Sequence, residues 1–283
     1  MLYEIKNDKI MLQVDTFGAE IHSLKLGSLE YIWQCGDAWM RYAPILFPFI
    51  SSPKDRKYLV NGKAFRMNAN HGFARDMDFK IIRKNMDILL FELSSNEETK
   101  AQYPFDFILQ VSYRLIGNAV DINYIVNNIG NTSMYFYLGG HPAFNCPIDE
   151  GEFSDYEIVY DRIENLMYQN GEPLQNVSEG RIVSLTRSLF DNDAIILDHP
   201  NSKAITLRSK KSTHSVTVKY PESNAIAVWS PTGDDQATFV CLEPWTSVPI
   251  DYDDAEIELC KKEHAIKLNS GQKFYYNYQI VIE

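Results

Sequence analysis

Cysteine is scarce in this chain of 283 residues and poorly spaced for chemistry. Cys35, Cys146, Cys241 and Cys260 lie far apart with no Cys-x-x-Cys pair, which argues against a zinc ribbon and a dithiol redox motif. They are expected to be free, buried thiols. No apolar run approaches the length of a membrane span. The first residues, Met1-Leu2-Tyr3-Glu4-Ile5-Lys6, show neither the basic nor the apolar region of a signal peptide, so a cytoplasmic protein is expected. Positive charge is also in deficit. A net charge of −11 and a pI near 5.1 argue against nucleic acid and against anionic membranes as partners. No Gly-x-Ser-x-Gly elbow, Gly-x-Gly-x-x-Gly fingerprint or phosphate loop is present.

Aromatic residues are abundant: 17 Tyr, 15 Phe and 4 Trp. They fall in short alternating segments bounded by Gly, Asn and Asp, the pattern of antiparallel β structure. Tyr3 to Val14 reads as an opening hairpin, and Ala19 to Leu26 and Glu30 to Gln34 as further strands. Asn61-Gly62 between Tyr58-Leu59-Val60 and Ala64-Phe65 supplies the positive φ angles of a type I′ turn. Phe107 to Leu115, Ala119 to Asn127 and Met134 to Leu138 read as a three-strand meander. Strands follow at 194–197, 204–207, 215–218, 225–229, 239–243 and 272–282, with one short helix around Ser95 to Gln102. The expectation is one all-β domain over residues 1–283, a many-stranded sandwich.

Three stretches carry residues suited to chemistry: His71-Gly72-Phe73-Ala74-Arg75, Gly139-Gly140-His141-Pro142 and Cys241-Leu242-Glu243-Pro244-Trp245. Each places an ionisable side chain at a strand end or turn, where a rigid sheet can present it into a cleft. Each also has a structural reading, a histidine in a turn or a solvated glutamate. His22, His199, His214 and His264 are assigned solvated or structural roles. Two histidines and a carboxylate could ligate iron. The His-x-His or His-x-Asp spacing of a strand that supplies two ligands is missing, so no metal is expected.

These stretches resemble the aldose 1-epimerase (galactose mutarotase) superfamily, in particular its LacX-like branch. The resemblance rests on Tyr31-Ile32-Trp33-Gln34, Ala38-Trp39, Ala43-Pro44-Ile45-Leu46-Phe47-Pro48, His71-Gly72-Phe73-Ala74-Arg75 with Asp76 and Phe79, Gly140-His141-Pro142-Ala143-Phe144 and Leu242-Glu243-Pro244-Trp245, in that order. It implies a galactose mutarotase-like β-supersandwich that interconverts the α and β anomers of an aldose without a cofactor. It further implies Glu243 as base on the C1 hydroxyl, His141 as acid on the ring oxygen and His71 as the assisting histidine. Arg75 and Asp193 are the implied sugar-binding residues, with Asp191 an alternative to Asp193. Trp39, Phe73 and Trp229 are candidates to stack on the sugar's apolar face. A small-molecule sugar is the implied partner of a monomer or homodimer. The pattern breaks at Ser51-Ser52, where the family carries Gly-Arg; Lys54 or Arg56 is the candidate substitute. Arg75 leaves open a hexose 6-phosphate as substrate, with a structural ion pair to Asp76 or Asp78 as its alternative, and the break leaves open a sugar-binding protein without turnover.

Overall fold

In the computed structural model, which describes residues 1–168, 171–232, 237–250 and 257–283, the chain is built almost wholly of antiparallel strands. The widest sheet has ten strands. Its longest ladder is Phe107–Ile116 against Ala119–Asn128, which pairs in turn with Lys273–Ile282. Alternation decides which face each side chain takes. Leu109, Val111 and Tyr113 on one strand and Ile122, Tyr124 and Val126 on the next are all buried, while the residues between them are not. Burying each such side chain is worth roughly 1.5–3 kcal/mol.

A six-stranded sheet lies in the same hydrophobic core. It runs Ile195–Asp198, Ala225–Trp229, Phe239–Trp245, Gly139–Gly140 and Ile45–Leu46, with Ala143–Asn145 also paired to Phe239–Trp245. Every residue of Phe239–Trp245 is buried, so both faces of that strand are covered. Interior tyrosines place their hydroxyls on backbone carbonyls: Tyr113 donates to Ala19 at 2.6 Å, Tyr58 to Gln102 at 2.5 Å and Tyr103 to Tyr135 at 2.8 Å. This removes most of the penalty of burying a polar tip.

Asn61 and Gly62 take φ of 52° and 75° and close the expected hairpin of Lys57–Val60 and Lys63–Arg66. The helix forms at Glu97–Gln102 with Asn96 and Thr99 as a capping box. The meander does not form. Met134–Phe136 leaves the wide sheet and pairs with Ile266–Leu268, and the C-terminal strand takes the place beside Ala119–Asn128. Asn128 diverts the chain: its amide donates to the carbonyls of Thr132 and Leu268 and its oxygen accepts from the Gly130 amide. The segment from Glu30 to Gln34 also differs, since only Leu29–Glu30 joins a ladder and Ile32 makes a single bridge to Phe144. All four cysteines are free, but only Cys146 and Cys241 are buried; Cys35 is half-buried and Cys260 exposed. Among the described residues no helix is long and apolar enough to cross a membrane.

Candidate active site

The two runs that open the site are joined through their backbones. Phe47 bridges Gly72, and the amides of Phe73 and Ala74 both donate to the Phe47 carbonyl, at 3.0 and 3.1 Å. A Cβ on Gly72 would lie 2.1 Å from that carbonyl oxygen, and its φ is 76°, so glycine is required here on two counts. His71 precedes it with φ of 63°. The Ser51 amide donates to His71 Nδ1 at 3.0 Å and the His71 amide donates to the Ser51 carbonyl at 2.8 Å. An acceptor at Nδ1 puts the neutral ring's proton on Nε2.

His141 follows the Gly139–Gly140 strand, which is wedged between Ile45–Leu46 and Trp245. A Cβ on Gly139 would meet the Trp245 ring at 2.4 Å and one on Gly140 the Tyr278 hydroxyl at 2.6 Å. The glycines thus let three layers approach closely and deliver His141 to the cleft. Its amide is held by the Pro44 carbonyl at 3.1 Å. Glu243 stands across from Ala227, a small partner that leaves space for the carboxyl.

His141 Nε2 lies 3.2 Å from Glu243 Oε2, with both side chains nearly sealed at 9% and 2% exposure. The His71 ring meets His141 edge-on at 5.7 Å between centroids. Trp39 stacks on His141 at 5.0 Å, and Trp229 meets it edge-on at 5.9 Å. These residues, with Arg75, Asp193, Ser51, Asn70 and Trp245, line one cleft of about 930 Å³. That volume suits a small polar ligand with room around it.

Electrostatics follow from burial. Desolvation, with Arg75 adding to it, lowers His71 to about 3. Desolvation, then His71 and Arg75, holds His141 well below the ordinary imidazole range. Desolvation and the nearby Asp193 push Glu243 well above the ordinary carboxylate range, against a smaller pull from the Trp245 indole. The pair therefore prefers to hold one proton in a neutral arrangement, as carboxylic acid and imidazole.

The structure brings together Glu243, His141, His71, Arg75, Asp193 and Trp39. It does not bring Phe73, which is 3% exposed and packs in the core against Phe47, Tyr103 and Phe107. Left-handed φ at His71 and Gly72 turns the chain between them, so His71 faces the cleft and Phe73 anchors the segment from beneath. Neither Lys54 nor Arg56 lines the cleft, and Arg56 instead reaches the Asn68 carbonyl. Arg75 is the cleft's arginine. Arg41 occupies Asp76 at 2.6 Å, while Arg75 approaches the same carboxylate only to 3.8 Å and keeps a buried Nε without a hydrogen bond. Asp193, in the left-handed region with φ of 71°, lines the cleft, and Asp191 does not. Sequence reasoning passed over Asn70, Asp198 and the wall Val248-Pro249-Ile250. Asn70 was within reach, as a polar neighbour of a histidine in a turn; the others follow from packing alone.

Taken together, the sheets and the cleft define a galactose mutarotase-like β-sandwich. The chain belongs to the aldose 1-epimerase family, whose model matches residues 1–279. It is 30% identical over 300 residues to the plasmid and chromosomal LacX proteins of Lactococcus lactis subsp. lactis, covering 97% of this chain and 98% of theirs. Among solved structures it is similar to a galactose mutarotase related enzyme from Lactobacillus acidophilus, with TM-score 0.89, 31% identity and coverage of 100% of this chain and 97% of that one. A galactose mutarotase-like protein from Lactobacillus casei gives TM-score 0.91 and 28% identity with both chains fully covered.

Proposed function

We propose that this protein is an aldose 1-epimerase that interconverts the α and β anomers of an aldohexose, as a single domain over residues 1–283 and without a cofactor. The observation that carries the reading is the buried His141–Glu243 pair, 3.2 Å apart at the wall of a cleft that also holds His71 and Arg75. Ring opening needs a proton removed from the C1 hydroxyl while another is delivered to the ring oxygen. In this mechanism Glu243 takes the first and His141 supplies the second. The bond between C1 and the ring oxygen breaks, C1 turns, and reclosure returns both protons.

The pair enters the reaction with one proton in total. Moving it from Glu243 to His141 across their close approach produces the carboxylate base and imidazolium acid together. Burial makes that charged arrangement costly at rest, so it is favoured when the sugar's hydroxyl and ring oxygen meet the two groups. His71, its proton placed on Nε2 by the Ser51 amide, donates to the sugar at the reacting end. Arg75 and Asp193 bind hydroxyls, and Trp39 offers an indole face beside His141.

A second reading, a hexose 6-phosphate substrate, is favoured by the buried Nε of Arg75, which makes no hydrogen bond, since a guanidinium suits phosphate. Polarimetric or exchange-NMR assays of mutarotation on free aldoses and on hexose 6-phosphates distinguish the two. Acceleration of free hexoses supports the leading reading, and acceleration of the phosphates alone supports the second. Saturable sugar binding without acceleration of any sugar overturns both in favour of a binding protein.

A further inference from the structure

The strand that carries Glu243 also carries Cys241 two residues earlier, on the same face. The absence of His-x-His and His-x-Asp spacing says nothing about Cys241-Leu242-Glu243, which has the same two-residue step with a thiol in first place. Folding adds His141 from the neighbouring turn. One ligand atom each of His141, Cys241 and Glu243 lies within 4.8 Å of the others, and all three residues are buried.

A buried cysteine alone would be an ordinary small core residue. What distinguishes this one is the company of an unsatisfied carboxyl oxygen that faces an imidazole nitrogen. Glu243 Oε2 is buried without a hydrogen-bond partner, and His141 Nε2 stands 3.2 Å from it. Around the thiol, itself fully buried, Trp33, Trp39, Trp229 and Phe239 form an apolar shell. An imidazole, a thiol and a carboxyl, all buried and bordered by the cleft beside His141 and Glu243, match the three-ligand sites that zinc occupies with one position left for water or substrate.

We infer that His141, Cys241 and Glu243 form a binding site for a thiophilic divalent cation of the Zn²⁺ type, and that its occupancy switches off the acid–base pair. Ligands on a tetrahedral zinc stand about 3.3–3.6 Å apart for its usual bond lengths. His141 and Glu243, at 3.2 Å, stand just inside that distance and need to part by only about 0.1–0.2 Å. The third corner closes with a side-chain movement of about 1 Å. Binding displaces the thiol proton and the proton held by the pair into solvent, and the fourth corner of the ion faces the cleft. The thiolate selects against Mg²⁺ and Ca²⁺, which prefer all-oxygen sites. The inhibitory half of this inference rests on the function proposed above; the binding half does not.

The test uses the full chain after treatment with a chelator. Titration with Zn²⁺ alone, followed by calorimetry, should show one equivalent bound, and Co²⁺ should give a thiolate-to-metal charge-transfer band. Cys241→Ala should weaken Zn²⁺ binding by at least about tenfold and abolish the band. Cys260→Ser, which removes the exposed thiol, should change neither. Zn²⁺ should suppress mutarotation reversibly and in competition with the sugar, whereas Mg²⁺ should not. No stoichiometric Zn²⁺ binding, or a Co²⁺ spectrum without a thiolate band, overturns the site even if Cys241→Ala does not fold. Equal Zn²⁺ binding by folded Cys241→Ala overturns it as well. If no sugar is turned over, the binding and spectral results still decide the site, so its failure and that of the proposed activity remain separate.

Discussion

Ser51 and His71 grip each other twice: the Ser51 amide donates to the ring at Nδ1, and the His71 amide donates back to the Ser51 carbonyl. At the point where the family pattern breaks, the backbone therefore holds His71 whichever side chain stands at position 51. The grip also fixes which ring nitrogen can address a ligand.

Burial of the His71 ring, with Arg75 beside it, disfavours its protonated form, and the consequence is a pH-dependent stability. The folded-state value is depressed to about 3 from an ordinary 6.5. Between these values the unfolded chain binds a proton that the folded chain does not, so stability falls as pH drops below 6.5. The slope is about 1.4 kcal/mol per pH unit from this residue. Denaturant melts at pH 7 and pH 5 should show the loss, and His71→Asn, which keeps an acceptor for Ser51, should flatten it. An unchanged slope in the variant would assign the acid sensitivity elsewhere.

Glu243→Gln and His141→Asn should each lower kcat/KM for mutarotation by about 10²–10⁴-fold while the fold is kept. The double variant should be little worse than either single one, because the two groups share one proton transfer. Full activity in both single variants would refute the mechanism.

The pH–rate profile should be a bell whose limbs belong to the pair. On the acid side, activity is lost when the pair takes up a second proton, at a value below the ordinary imidazole 6.5. On the alkaline side it is lost when the carboxyl gives up the shared proton, above its ordinary 4.5. Polarimetry across pH with a single sugar reads both, and a profile without the alkaline limb would count against the raised Glu243.

Two glycine substitutions separate strain from collision. Gly62→Ala places a methyl in open space at φ of 75°, so it should cost about 1 kcal/mol. Gly72→Ala has almost the same φ, 76°, but drives the methyl to 2.1 Å from Phe47 O. It should cost about 2–4 kcal/mol and displace His71 from the cleft. Thermal or denaturant unfolding of the two variants in parallel checks the difference.

Alternation of apolar residues in the sequence was enough to place most of the strands, the Asn61-Gly62 hairpin and the short helix, because those depend on neighbours in the chain. It could not choose strand partners. Met134 to Leu138 has the right local pattern for a meander, yet Asn128 turns the chain away and a segment more than a hundred residues later takes the vacant edge. The stretches around His71, His141 and Glu243 were legible as ionisable side chains beside glycine or proline, and the resemblance to the family supplied their roles. Which neighbours share their cleft was not. Phe73, two residues from His71, went to the core, and Arg75, two further on, reached the cleft because Arg41 holds Asp76. The chain order thus supplied the chemical groups. Only the packing of distant strands set Cys241, His141 and Glu243 within a few ångströms of one another and removed the water that would otherwise keep them ordinary.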